Sequence, residues 1–312
     1  MKYHVIVNPA GASGKTLKLW SRYEEYFKNA RADYDVHYSN RETGIGGVCE
    51  RLENEHAASG DPGLLAIITV GGDGSVNDAV NSFRDLSRIA YAHLPGGSGN
   101  DMLRDMDLPS DRETLIRRIL EGRIRRRFDV GEITCVDTGV TRRFAVSSGI
   151  GFDAGVCEAV NRSPHKATFN RLGVGKLIYV ADAFKVIGTQ TTGHLTLTTD
   201  SGTFEYENLL LMAIMNHQYE GGGVHFAPEA DATDGLLDLC VAAPKHRSYF
   251  YQALPFAMVG QHEKLAYITP IKTSSLEARV SVPMWVQTDG EVLPQSQHIK
   301  VRVLEKKLQS LM

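Results

Sequence analysis

An open α/β domain followed by a domain built mainly on antiparallel β structure is the fold class this sequence predicts. Three observations carry that expectation. Short apolar runs alternate with helical stripes through the first 130 or so residues, which implies right-handed crossover units and a parallel sheet. From about Asp129 the texture changes to closely spaced strand-like runs. The chain holds 30 glycines, and they cluster in short blocks, three of them directly after strand-like runs of the first half.

The elements follow in order. Residues 3–8 form a short apolar run that ends in a turn. Leu17, Trp20, Tyr23 and Phe27 then recur at helical spacing. Residues 34–38 alternate as a strand does, and residues 64–70 are continuously apolar, as expected of a strand covered on both faces. Val76, Ala79, Val80, Phe83 and Leu86 form another helical stripe before a further strand at 89–94. In the second half, residues 128–136, 142–148, 194–199, 204–215, 236–242, 277–282 and 285–288 read as strands. Helical segments near 169–187 and 247–259 interrupt them. The stretch 299–304 could close either domain. The predicted division is a first domain at 1–128, with 296–312 as a candidate return to it, and a second at 129–295.

Composition narrows the function. Hydrophobic residues make up 42% and charged residues 23%, ordinary globular usage that excludes disorder, collagen and a coiled coil as the main description. No run approaches the 18 or so apolar residues of a membrane span. The polar-broken N-terminus does not read as a signal peptide. Cys49, Cys135, Cys157 and Cys240 lie far apart, so neither a disulfide framework nor a zinc site is expected, and a reducing cytoplasm fits. A net charge of -3 argues against a nucleic-acid partner.

The glycine blocks sit where an open α/β sheet binds its ligand, beyond the carboxyl ends of the strands. Asn8, Pro9, Ala10, Gly11, Ala12, Ser13, Gly14, Lys15 and Thr16 nearly match a Walker A loop. Pro9 stands at its first glycine, and proline has no N–H and a fixed φ. A looser phosphate contact at a helix N-terminus and a plain strand-to-helix turn both stay open. Gly71, Gly72, Asp73, Gly74, Ser75, Val76, Asn77 and Asp78 carry the sharpest signal. Glycines let backbone approach a polyphosphate, and an aspartate beside phosphate calls for a cation such as Mg²⁺. Leu94, Pro95, Gly96, Gly97, Ser98, Gly99, Asn100 and Asp101 repeat the pattern one strand later.

These blocks, with Asn8-Pro9-x-Gly11, resemble those of the diacylglycerol kinase catalytic-domain superfamily, which includes bacterial lipid kinases and the sphingosine and ceramide kinases. The second half is similar too, in Gly149 to Ala154, in Asn216 with Gly221, Gly222, Gly223, Pro228, Ala230, Asp234, Gly235 and Leu236, and in Asp289-Gly290-Glu291. Six ordered blocks cover nearly the whole chain. Ser75 and Ser98 stand where threonine is usual, Asp78 where glutamate is common, and Gly97 is an extra glycine. No charge is lost by these departures.

The resemblance implies an ATP-dependent lipid kinase of the bacterial diacylglycerol kinase kind. Its fold would be an N-terminal NAD kinase/diacylglycerol kinase-like α/β domain with a C-terminal β-sandwich-like domain that completes the lipid and catalytic site. Asn8, Pro9, Ala10, Gly11, Ala12, Asn40, Gly71, Gly72, Asp73, Gly74, Ser75, Asn77 and Ser98 would line the ATP site. Asp73, Asp101 and Asp129 would form a carboxylate and water network around catalytic Mg²⁺, and Glu291 would be the general base. Asp231, Asp234 and the carbonyl of Leu236 would match a structural Mg²⁺ site. The implied acceptor is a lipid hydroxyl, diacylglycerol first, met at the membrane surface by a cytoplasmic protein that associates transiently and peripherally; a homodimer stays open.

Two rival readings are a soluble-substrate kinase resembling NAD kinases, which share the Gly-Gly-Asp-Gly loop, and a nucleotide-binding regulator without turnover. Asp289-Gly290-Glu291 and the Gly221 triplet favour the lipid group, and the retained acids favour turnover. Two features bear on the membrane. Arg117, Arg118, Arg123, Arg125, Arg126 and Arg127 could attract anionic headgroups or form a solvated helix end paired with Glu113, Glu121 and Asp129. The apolar segments 249–258 and 166–187 could meet acyl chains or pack in a core.

Overall fold

The computed structural model describes residues 1–96, 99–162 and 187–312. The chain divides into two compact units, Met1–Val130 with Leu304–Met312, and Gly131–Val303.

The first unit is an open six-stranded sheet with strand order β2-β1-β3-β4-β18-β5. β1 (Tyr3–Val7), β2 (Tyr34–Tyr38), β3 (Leu65–Gly71) and β4 (Ile89–Pro95) run parallel. β3 and β4 are apolar and almost wholly buried, because helices flank both faces. α1 (Gly11–Gly14) is a single turn that leads into α2 (Thr16–Asn29). The α2 stripe buries Trp20, Tyr23 and Phe27, whereas Leu17 is exposed. α4 (Asp73–Ser82) buries Val76, Ala79 and Val80, and Phe83 and Leu86 are buried just beyond its end. α5 (Arg112–Leu120) starts at Asp111, whose carboxylate accepts from the Thr114 N–H as an N-cap.

Two helices escape the sequence reading, α3 (Gly44–Ser59) and α6 (Phe152–Arg162). α3 opens with Gly44, Gly46 and Gly47, poor helix formers, yet buries Ile45, Val48, Cys49 and Leu52 on one stripe. The chain end is a further departure. Residues 299–303 do not close the first sheet; they stay in β17 (Glu291–Val303) of the second unit. The return begins at Leu304, and β18 (Leu308–Ser310) inserts between β4 and β5 (Arg126–Phe128). β18 is too short to show alternation, so the sequence alone places the return eight residues early.

The second unit is an antiparallel β domain of sandwich-like form. One sheet runs β15-β14-β11-β8-β16-β17-β6-β7, with β9 on β16 and β10 on β9. Its strands are β6 (Gly131–Cys135), β7 (Val140–Phe144), β8 (Ser147–Gly151), β9 (Gly193–Thr199), β10 (Gly202–Leu209), β11 (Leu211–Met215), β14 (Leu237–Ala242), β15 (Ile268–Thr273), β16 (Ser275–Thr288) and β17. The long β16–β17 hairpin is the axis of the unit. One face buries Ile133, Phe144, Ile150, Leu197, Met212, Val286 and Ile299. The other buries Leu211, Ala213 and Met215 under α6 (Phe152–Arg162) and the helix Phe250–Met258. Phe152 and Phe250 meet edge-on there at 5.0 Å. Among the described residues, no helix is long and apolar enough to cross a membrane.

Candidate active site

In the first unit, the parallel strands bring their carboxyl ends to one edge. Asn8 donates its N–H to the Val70 carbonyl, and Gly96 donates to the Gly71 carbonyl, so the loops after β1, β3 and β4 are laced together. The Asn8 side chain closes the first loop by accepting from the Ala10 N–H at 3.1 Å, with the Gly11 N–H on the Asn8 carbonyl. Pro9, Ala10, Gly11 and Ala12 therefore form a tight turn into α1. The loop departs from a Walker loop's arrangement: Thr16, at the position of that motif's metal-binding hydroxyl, is fully buried. Its Oγ1 lies 2.6 Å from where a Cβ on Gly11 would stand.

Asn40 lies at the same edge, just after Ser39, which donates its N–H to the Val7 carbonyl. The Asn40 side-chain oxygen accepts from the Glu42 N–H, the Thr43 N–H and the Thr43 hydroxyl, capping the turn into α3.

Asp73 is the bracket of the edge. One carboxylate oxygen accepts from the Asn100 N–H and the other from the Asp101 N–H, both at 2.8 Å. Gly99 passes so close that an added Cβ would stand 2.2 Å from the Asp73 carboxylate. Asn100 adopts a left-handed conformation at φ 52 to make that turn. At Gly71 a Cβ would fall 2.1 Å from Ser75 Oγ, so the Gly71–Ser75 spacing is a packing requirement as well as a loop signal. Gly72 is extended and caps α4, and a Cβ on Gly74 would meet open space. Asn77 is fully buried behind the loop, away from any surface a ligand could reach without movement. Asp101 is buried and holds Arg104 at 2.8 Å. Asp73 and Asp101 thus offer oxygen atoms side by side, a donor set suited to a hard cation such as Mg²⁺. Ser98 lies outside the described residues.

Asp129 does not join them. Phe128 pairs with Leu308, and β18 runs parallel to β4 with Gln309 opposite Ala90. Asp129 is therefore past the amino end of β4, while Asp73 and Asp101 are past its carboxyl end, about 20 Å along the strand at 3.3 Å per residue. Its buried carboxylate pairs with Lys307 at 2.8 Å. Of the three acids expected together, the structure brings Asp73 and Asp101 to one edge and leaves Asp129 apart.

In the second unit, Asp289-Gly290-Glu291 turns β16 into β17. Asp289 and Gly290 both have positive φ, at 49 and 85, as a two-residue type I′ hairpin requires. The three residues divide the work. Asp289 accepts from the Ala145, Val146 and Ser147 N–H groups, fixing the loop between β7 and β8. Gly290 makes the turn. Glu291 opens β17 and is exposed to solvent. Asn216 fastens the same β7–β8 loop by donating to the Ala145 carbonyl at 2.7 Å. Gly221, Gly222 and Gly223, all at positive φ, form the tip of the small hairpin β12 (Tyr219–Glu220) to β13 (Val224–His225).

The loop 230–236 folds as successive aspartate turns. Asp231 accepts from the Thr233 N–H and hydroxyl, and Asp234 accepts from the Leu236 N–H. The Asp231 carbonyl already accepts the Asp234 N–H. Close by, burial raises the Asp238 carboxyl above its ordinary range, with the charges of Asp234 and Glu229 adding to it. An acidic, oxygen-only loop of this kind suits a hard cation.

Residues 2–133 match the diacylglycerol kinase catalytic domain, and residues 145–311 match the YegS C-terminal NAD kinase beta sandwich-like domain. The chain belongs to the diacylglycerol kinase catalytic-domain superfamily. YtlR of Bacillus subtilis (strain 168), which carries a lipid kinase name, is 23% identical over 291 residues, 92% of each chain. A diacylglycerol kinase of Mycobacterium tuberculosis (strain CDC 1551 / Oshkosh) is 26% identical over 234 residues, 74% of this chain and 72% of its own. The crystal structure of a diacylglycerol kinase from Bacillus anthracis str. Sterne superposes with a TM-score of 0.69 at 20% identity, covering 99% of this chain and 96% of that one.

Against this family background, two residues with no role assigned from the sequence stand out. Gln287 and Asp153 are buried beside the Asp289-Gly290-Glu291 turn and hydrogen-bonded to each other at 3.1 Å. A signal was available: Gln287 is a polar residue in the otherwise apolar run Met284-Trp285-Val286. Three of the six arginines in the cluster make ordinary local pairs. Arg117 holds Glu113, Arg125 holds Glu121, and Arg118 donates to the Asp107 carbonyl. The helix Phe250–Met258 buries Phe250, Ala253 and Ala257 but leaves Phe256, Met258 and Val259 at 40%, 59% and 62% exposure. The other apolar segment, 166–187, lies outside the described residues except for its last.

Proposed function

We propose that this chain is an ATP- and Mg²⁺-dependent lipid kinase that phosphorylates the hydroxyl of diacylglycerol, giving phosphatidic acid. The observation that carries the reading is the glycine-bounded pair Asp73 and Asp101 at the carboxyl edge of the parallel sheet. The relatives named as lipid or diacylglycerol kinases support the acceptor class. The backbone at Gly71, Gly72 and Gly74 and the turn at Asn8 to Ala12 cradle the nucleotide phosphates. Bound through Asp73 and Asp101, Mg²⁺ would neutralise charge on the transferring phosphoryl group. Glu291, exposed at the hairpin turn, accepts the proton of the attacking hydroxyl as the oxygen–phosphorus bond forms and the bond to the leaving ADP oxygen breaks. Asp231, Asp234 and the Leu236 carbonyl in the loop 230–236 would hold a second, structural Mg²⁺. The exposed apolar side of the helix Phe250–Met258 supports a peripheral visit to the bilayer from the water side.

The test is direct. The protein is incubated with γ-labelled ATP, Mg²⁺ and diacylglycerol in mixed micelles, with NAD in a parallel tube. Label in a chloroform-soluble product is expected. Label in NAD instead, or none in either with ATP still bound, overturns the reading. Glu291→Gln should abolish transfer and keep ATP binding; near-normal turnover would sink the base assignment.

A further inference from the structure

Gln287 sits inside β16 and is fully buried, opposite Gly149 of β8. A buried carboxamide costs stability unless all its hydrogen bonds are made, and here each principal one is used. Its Nε2 donates to Asp153 Oδ2 at 3.1 Å and to Glu220 Oε1 at 2.8 Å. Its Oε1 accepts the Gly290 N–H at 2.8 Å. The chemistry fixes which way round the amide stands. Flipped, its NH₂ would face the Gly290 N–H and its oxygen would face two carboxylates. Gly149 makes the arrangement possible, since a Cβ there would lie 2.0 Å from the Asp153 carboxylate.

The Gly290 N–H belongs to the Asp289–Gly290 peptide at the centre of the turn, one peptide before Glu291. Asp289, on its other side, is held by three backbone N–H groups. The turn is therefore clamped twice, by Asp289 from the β7–β8 loop and by Gln287 from within the strand. Two acids, Asp153 and Glu220, both accept from that carboxamide and so orient it. We propose that Gln287 is a positioning residue for Glu291: its side chain, oriented by Asp153 and Glu220, fixes the Asp289–Gly290 peptide at the centre of the turn and so the direction in which Glu291 leaves the hairpin. This rests on the assignment of Glu291 as the base.

The titratable groups that touch the Gln287 carboxamide are Asp153 on α6 and Glu220 on β12; Asp289 and Glu291 share its hairpin, and Cys240 lies three strands away on β14. Burial pushes the Asp153 carboxyl up to about 6, with the Gln287 hydrogen bond opposing. Burial pushes the Cys240 thiol up to about 12, with smaller contributions from Glu263, Asp153 and Glu220. The thiol is therefore neutral, and the acids decide how the amide is held.

Two variants separate positioning from packing. Gln287→Met keeps the volume and loses every hydrogen bond. It should lower kcat about 100-fold, as a misplacement near 1 Å does, while KM for ATP stays at the wild-type value. Gln287→Glu keeps an acceptor for the Gly290 N–H but sets a third carboxylate against Asp153 and Glu220. Its activity relative to wild type should be low at about pH 8 and recover toward the range where Asp153 binds a proton, about 6. Wild-type kcat in Gln287→Met, or a Gln287→Glu to wild-type ratio that does not change with pH, overturns the proposal. Should Gln287→Met fail to fold, Gln287→Glu carries the test alone. Hydrogen exchange at Gly290 keeps this proposal apart from the function. If the wild type phosphorylates no lipid, faster Gly290 exchange in Gln287→Met still supports the clamp, and unchanged exchange overturns it.

Discussion

Asp73→Asn is the most informative single change in the first unit, because it separates two jobs of one carboxylate. In the structure both oxygens of Asp73 accept backbone N–H groups, from Asn100 and from Asp101, at 2.8 Å each. An asparagine has one acceptor oxygen, so one of those N–H groups must face an NH₂ group instead. The loss is one hydrogen bond to a charged acceptor, and its strained replacement adds to it, for a cost of about 2 kcal/mol. There is little room to relax, because Gly99 is packed against the Asp73 carboxylate. A cost of that size should lower the melting temperature of this unit by about 4–8 °C. The assay is thermal unfolding of the whole chain in EDTA, where no cation can contribute. The same variant should lose Mg²⁺-dependent turnover. A melting temperature within about 1 °C of wild type would refute the bracket, whatever happened to activity. A lowered melting temperature with intact turnover would refute the cation role alone.

Three further outcomes follow from particular contacts. Lys307→Met removes the ion pair at the buried Asp129 and should cost about 2 kcal/mol in chemical denaturation, yet leave KM for ATP unchanged, because Asp129 lies at the opposite end of β4; a large rise in KM would restore Asp129 to the nucleotide site. The double change Phe256→Ser with Met258→Ser should weaken sedimentation with phospholipid vesicles by about tenfold or more, since each exposed apolar side chain can contribute about 1.5–3 kcal/mol on burial, while ATP binding is kept; unchanged sedimentation would remove that helix from the membrane contact. Asp153 has its carboxyl raised in the fold, so the folded chain binds its proton more tightly than the unfolded chain does. Its ionisation therefore destabilises the fold fully above about pH 6 and less as the pH falls through the raised value toward 3.8. Asp153→Asn should flatten that slope in melting temperature against pH, and an unchanged slope would assign it to another group.

Most of this site was legible because its chemistry is written locally. The glycine blocks after β3 and β4 are short, contiguous and forced by close packing: Gly71 against Ser75, Gly99 against Asp73. The Gly71–Ser75 contact falls within four positions and leaves a motif that could be read without the fold, whereas Gly99 meets Asp73 across 26 residues and shows only as a second glycine block. Helix α3 was hidden for the opposite reason, because its local propensity points away from helix while its burial stripe demands one. Asp129 was misplaced because it is defined by register, through Phe128 opposite Leu308 and Gln309 opposite Ala90. No pattern near Asp129 reveals that its partner strand comes from the end of the chain. The same holds for Gln287, whose partners Asp153 and Glu220 are 134 and 67 residues away. A polar residue inside an apolar strand did announce that something held it; what held it was three-dimensional. The glycines thus marked the backbone that must come close, and the structure supplied the long-range bonds that decide which acids stand together. By that measure Asp73 belongs with Asp101, and Glu291 belongs with a clamp that no motif contains.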